Sequence, residues 1–257
     1  MFSRHLATIS VIFLLFLILF GCADDRGVVK KRARALENLG NALIRQGNVR
    51  AGLERLQKAE RLDPENVDIH HELALAYRDL GEYDLSLKHF RRALELTPEA
   101  PEIQNNLATL YLLFGKWDPA IESCRKALGN ILYKTPHFAY NNMGLAYSGK
   151  ADYPEAIDAF RKALLSQSAF SPAYANLGRA YEAVSRWEKA VESYEKALYY
   201  QPNDTSARFN LGRLYFKLNR RKEAADEFYR VMESDPGGIY GEQAKQFIKK
   251  HQLIGRQ

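Results

Sequence analysis

The sequence predicts an all-α solenoid: six helix-turn-helix repeats in a right-handed superhelix, followed by a C-terminal capping helix. Three observations predict it. Prolines stand at Pro64, Pro98, Pro202 and Pro236, the first two 34 positions apart and the last two likewise. That step divides the chain into units 33–66, 67–100, 101–136, 137–170, 171–204 and 205–238. In every unit the seventh position is apolar (Leu39, Leu73, Leu107, Met143, Leu177, Leu211) and the eighth is small (Gly40, Ala74, Ala108, Gly144, Gly178, Gly212). One hairpin of this kind cannot bury its own apolar face, so the copies must stack.

The N-terminus reads differently. Arg4 supplies a positive start and Val11 to Phe20 is an unbroken apolar run, shorter than the ~20 residues that a spanning helix needs. Residues 1–21 therefore read as an export signal, with an uncleaved signal anchor as the alternative. Leu19-Phe20-Gly21-Cys22 resembles the bacterial lipobox, whose cysteine is acylated; Phe20 departs from it, since that site usually holds a smaller residue. The resemblance implies a covalent lipid, palmitate among its chains, on Cys22. Ala23 rather than aspartate follows Cys22, which in enterobacteria-like sorting favours the outer membrane and its periplasmic face. Residues 22–32 are expected to be the lipidated cysteine and a polar linker, whose nine residues from Ala23 to Lys31 reach at most about 30 Å.

Composition excludes several classes. The net charge is +6, from 37 basic and 31 acidic residues interleaved along the helices, which suits a solvated surface and not a nucleic-acid stripe. With Cys22 acylated, Cys124 is the one thiol left, so no internal disulfide is possible. It reads as a small buried hydrophobe.

Within the units, the first helices carry Leu43, Tyr77, Tyr111, Tyr147, Tyr181 and Tyr215 at position eleven. The second helices carry Gly52, Ser86, Ala120, Ala156, Ala190 and Ala224, then Leu56, Phe90, Cys124, Phe160, Tyr194 and Phe228. These registers resemble the tetratricopeptide repeat family over nearly all of the mature chain. The third unit is two residues longer, and Gly129 to Pro136 reads as an extended junction. Residues 239–257 supply a capping helix from about Ile239 to His251 and a tail, with Tyr240, Ala244, Phe247, Ile248 and His251 on one face.

Positions 4, 7, 8 and 11 form the expected packing stripe. The resemblance implies that the stripe left over, positions 2, 5, 9, 12 and 13, lines a groove for a partner polypeptide. The groove residues singled out in the first two units are Asn41, Ile44, His71 and Leu75. The third and fourth supply Asn105, Leu112, Leu113, Phe138, Asn141 and Leu145; the last two add Arg179, Phe209, Arg213 and Phe216. The apolar members occupy sites that packing does not need, which suggests a surface for an amphipathic helix. The alternative is that neighbouring helices cover them. The Lys/Asn/Arg set that grips a C-terminal carboxylate in chaperone-type repeats is absent.

No catalytic motif, phosphate loop or paired-cysteine zinc spacing is present, so no enzyme, metal, small-molecule substrate or cofactor is expected beyond the lipid. His70 and His71 are adjacent and project about 100° apart on a helix, a poor metal pair. A further resemblance narrows the function. Six repeats behind a lipobox, with Leu132-Tyr133, Pro136, Ala139, Asn142, Gly144 and Leu145 at the junction, resemble the type IV pilus biogenesis lipoproteins of the PilF/PilW/Tgl pilotin type. That resemblance implies an outer-membrane protein whose groove receives a secretin subunit segment. The competing reading is a generic periplasmic scaffold lipoprotein for envelope-biogenesis or export proteins.

Overall fold

A computed structural model of the chain describes residues 26–253. Cys22, the apolar run before it and the last four residues of the tail lie outside the described residues. Helices follow one another in pairs: α1 (26–45) with α2 (Val49–Leu62), α3 (Val67–Asp79) with α4 (Tyr83–Leu96), and α5 (Pro101–Leu113) with α6 (Trp117–Gly129). Then come α7 (Pro136–Gly149) with α8 (Tyr153–Ser166), α9 (Ser171–Ala183) with α10 (Trp187–Tyr200), α11 (Thr205–Lys217) with α12 (Arg221–Ser234), and α13 (Ile239–His251). The chain forms two compact units, one ending at Ile103 and one beginning at Gln104.

Each pair turns in the same way. The residue at position fifteen takes a left-handed backbone: Gly47, Gly81 and Gly115, then Ala151, Ser185 and Asn219. The next amide donates back to the carbonyl of position eleven, from Asn48 N to Leu43 O at 2.9 Å through Arg220 N to Tyr215 O at 2.8 Å. This six-to-one bond satisfies a carbonyl left over at the helix end and fixes the direction in which the second helix departs.

The small eighth position then lets the two helices close. A Cβ on Gly144 would stand 2.5 Å from the Phe160 ring, and one on Gly178 would stand 2.8 Å from Tyr194. Gly40 meets Leu56 and Gly52 in the same way. Phe160, Tyr194 and Phe228 are wholly buried. Each burial of such a ring stabilises by roughly 1.5–3 kcal/mol before the ordering entropy is counted.

Three expectations need correction. Residues 26–32 are helical and belong to α1, not to a linker; Lys30, Lys31, Arg32 and Arg34 are good helix formers and no proline interrupts them. The packing stripe is also wider than positions 4, 7, 8 and 11. Position 3 (Ile69, Ile103, Ala139, Ala173, Ala207) and position 10 (Ala76, Leu110, Ala146, Ala180, Leu214) are buried throughout those units. Lastly, Leu39 is exposed, whereas Leu73, Leu177 and Leu211 are buried. Leu177 lines a hollow with Arg161 and Leu164 of the preceding hairpin; among the described residues no hairpin precedes Leu39.

The long junction has a clear anchor. Asn130 Oδ1 accepts from Leu132 N at 2.9 Å, which turns the chain after α6. Tyr133 then drops into a core with Ala108, Cys124, Ala127 and Ala139. The bulk of Tyr133 fills space that Cys124 leaves at a site where the neighbouring units place an aromatic ring.

Candidate polypeptide-binding groove

In the compact unit that begins at Gln104, the first helices expose a hollow of about 390 Å³ lined by Leu145, Ser148, Gly149, Asn176, Arg179 and Ala183. Gly149 belongs there for a steric reason, since a Cβ would meet the Trp117 indole at 2.7 Å. Leu145 is half-buried and rests on the core while facing this space. The Arg179 guanidinium donates to Asn176 Oδ1, and Asn176 Nδ2 donates to Asn141 Oδ1 at 2.8 Å. Arg179 is thus an exposed cation held in place by a buried amide chain. Asn142 Nδ2 likewise donates to Asn105 Oδ1 at 2.9 Å and to Thr109 Oγ1 at 3.1 Å. Asn105 and Asn141 are buried, so both serve to tie first helices together.

The expected apolar groove separates into two sets. Leu113, 59% exposed, and Phe138, 43% exposed, remain open to a partner. Phe138 packs its ring edge-on to Phe170 at 5.4 Å and beside His137 at 4.2 Å. Leu75 and Leu145 are half-buried, and Leu112, Phe209 and Phe216 are drawn into packing. Leu112 packs with Trp117 and Tyr147 against Ala120, Ile121 and Ala146. Phe209 is buried between Phe228 and Tyr240, and Phe216 meets Phe247 and His251 of α13. Within the sixth repeat the chain's own cap therefore occupies the apolar part of the face, and Arg213 stays exposed. Ile131 and Leu132, outside the expected groove set, form an outward apolar pair at 95% and 78% exposure. Their place in the irregular junction was the available signal.

In the compact unit that ends at Ile103, Ile44 is a packing residue: a Cβ on Gly52 would meet it at 2.5 Å, and it rests on the core with Leu36. Glycine at 52 removes the side chain that closes this hairpin elsewhere, and Ile44 fills the gap. Leu75 is half-buried. His71 lies 6.1 Å from the Phe90 ring, and burial holds its pKa below the ordinary histidine value. Among the described residues, Asn41 Oδ1 is the buried side-chain atom to which no protein group donates a hydrogen bond. Burial raises the carboxyl pKa of both Glu37 and Glu72, and the negative charge of Asp68 adds to each. Arg34 offsets part of this at Glu37, and Arg45 does so at Glu72.

Two further groups bear on chemistry. Cys124 is buried, and the loss of solvent pushes its thiol up to about 12, far from a reactive thiolate. His70 and His71 do diverge as expected. However, His70 meets His89 of α4 and Glu60 of α2, with all three ligating atoms within 4.8 Å of one another. A spacing of 19 residues across a repeat turn hid that meeting from a search for local motifs.

Among the described residues, no helix is long and apolar enough to cross a membrane. A tetratricopeptide repeat model matches residues 37–101, 71–131, 141–198 and 175–239. A search of curated protein sequences finds no match. Among solved structures, the fold is similar to PilW, described as a widely conserved type IV pilus biogenesis factor, at TM-score 0.77 and 20% identity, covering 82% of this chain and 97% of that one. It is also similar to PilF of Pseudomonas aeruginosa, at TM-score 0.73 and 19% identity, with 85% and 98% covered. MamA is 28% identical over 63% of this chain and 94% of its own, at TM-score 0.56. The matched segments account for most of the length, and each contains the paired helices, position-fifteen turns and small eighth positions described above: the chain belongs to the tetratricopeptide repeat family.

Proposed function

We propose that this protein is an outer-membrane lipoprotein, anchored through Cys22 on the periplasmic face, that promotes assembly and membrane insertion of a type IV pilus secretin. It acts without catalysis, by holding a secretin segment against the first-helix surface. The observation that carries this reading is the near end-to-end correspondence with PilW and PilF, 97% and 98% of whose chains are matched. The lipobox resemblance at Leu19 to Cys22 and the junction anchored by Tyr133 support it. A deletion strain tests it: secretin is expected to remain monomeric, with surface pili lost, and normal heat-resistant multimers would refute the role. The competing reading, a general periplasmic scaffold lipoprotein, has on its side that the repeat match over residues 37–131 and 141–239 is to a family and names no partner. In that case secretin multimers persist in the deletion strain.

A further inference from the structure

Independently of the groove, we propose that Glu60, His70 and His89 form a binding site for a divalent transition-metal ion, Zn2+ foremost, that pins α2 to the α3–α4 hairpin. The three ligating atoms come from three helices. His70 Nδ1 and His89 Nδ1 stand 3.1 Å apart, and Glu60 Oε1 lies 3.7 Å from the first and 3.9 Å from the second. A triangle with those sides has a point about 2.1 Å from every corner, which is the Zn–N and Zn–O bond length.

The surroundings prepare His70 for this. Its Nε2 lies 2.9 Å from the Pro64 carbonyl oxygen. A carbonyl only accepts, so the proton sits on Nε2 and the Nδ1 lone pair faces the triangle's centre. Such an outer hydrogen bond is what orients a metal-ligating histidine. His89 is held by the Tyr77 ring stacked on it at 5.3 Å, and Gln57 Nε2 fixes the Tyr77 hydroxyl at 2.8 Å. Without metal, His89 donates its Nδ1 proton to His70; with metal, that proton moves to His89 Nε2 and both lone pairs reach the ion. Both histidines are buried, while the Glu60 side chain is about one-third exposed and marks the entry side. Two imidazoles and one carboxylate suit Zn2+, Co2+ or Ni2+ over Mg2+ or Ca2+, and leave a position for water.

The test is calorimetric titration of Zn2+ into the metal-stripped full chain, with Co2+ absorption as a second readout. One ion per chain is expected, with a tetrahedral-type Co2+ band and a raised melting temperature. Glu60→Gln, at a partly exposed site, should weaken binding about tenfold or more while leaving the helical signal intact, and Glu60→Gln with His89→Gln should abolish it. Replacing His137 and His251 should leave the stoichiometry and affinity for Zn2+ unchanged. Absence of one-to-one saturation below about 100 μM Zn2+, or saturation that survives in the double variant, would overturn the site.

Discussion

Gly144 faces the ring of Phe160 so closely that an added Cβ would lie 2.5 Å from Cε1. Neither side can yield: Phe160 is wholly buried, and Gly144 is in the middle of α7. Gly144→Ala is therefore expected to destabilise by about 1–3 kcal/mol despite alanine's better helix propensity. Urea denaturation followed by circular dichroism checks this. A rise in stability would mean that the helices are not packed this closely.

The turn register gives the opposite sign. Ala151 and Ser185 hold φ of 60° and 58° at the position where Gly47, Gly81 and Gly115 stand in the earlier repeats. A left-handed backbone costs an L-residue roughly 1–2 kcal/mol, of which the added freedom of glycine in the unfolded chain takes back about half. Ala151→Gly and Ser185→Gly should each stabilise by about 0.5–1 kcal/mol, and Asn219→Gly by less, because asparagine tolerates this region. Paired melting curves decide the matter.

Cys124 supplies a pH-dependent prediction. Its folded pKa of about 12 lies above the ordinary thiol value of 9.0. Between those values the unfolded thiol ionises while the folded one keeps its proton, so this contribution to stability is full below pH 9 and is lost as pH rises. In a Cys22→Ser chain, where Cys124 is the one thiol, iodoacetamide at pH 8 should label it only as fast as the core opens. Prompt labelling under native conditions would contradict the burial.

The cap is expected to be integral to the sixth repeat. Phe247 packs at 4.7 Å from Phe228 and 5.1 Å from Phe216. Phe247→Ala should cost about 2–4 kcal/mol, and a chain ending at Gly238 should self-associate through the uncovered Phe209 and Phe216. Light scattering and thermal melts measure both effects; an unchanged monomer would show that α13 covers nothing essential.

The repeat fold was legible because its signals recur: a small eighth residue facing an aromatic or leucine, and a turn at position fifteen, are visible wherever the 34-residue step is laid down. The bounds of α13 were readable for a similar reason, from Gly238 before it and a clean apolar face. The groove was legible only in part. A residue's register gives the face from which it departs, but not whether a neighbour covers it. Phe209 and Phe216 sit at groove positions and are covered by α13, while Ile44 was drawn into packing by Gly52. Asn105 and Asn141 sit at groove positions too, and their amides are engaged by the helices beside them. The meeting of Glu60, His70 and His89 depends on how α2, α3 and α4 cross, which no spacing in one helix encodes.

The direct test of the central claim is the binding of the purified secretin subunit to this chain, measured by calorimetry with wild type and with Leu113→Asp combined with Arg179→Glu. Both positions are exposed, so the variant should fold normally by circular dichroism. The Kd should rise at least tenfold in the variant, equal to about 1.4 kcal/mol. An unchanged Kd in the well-folded variant would rule out secretin binding at this surface.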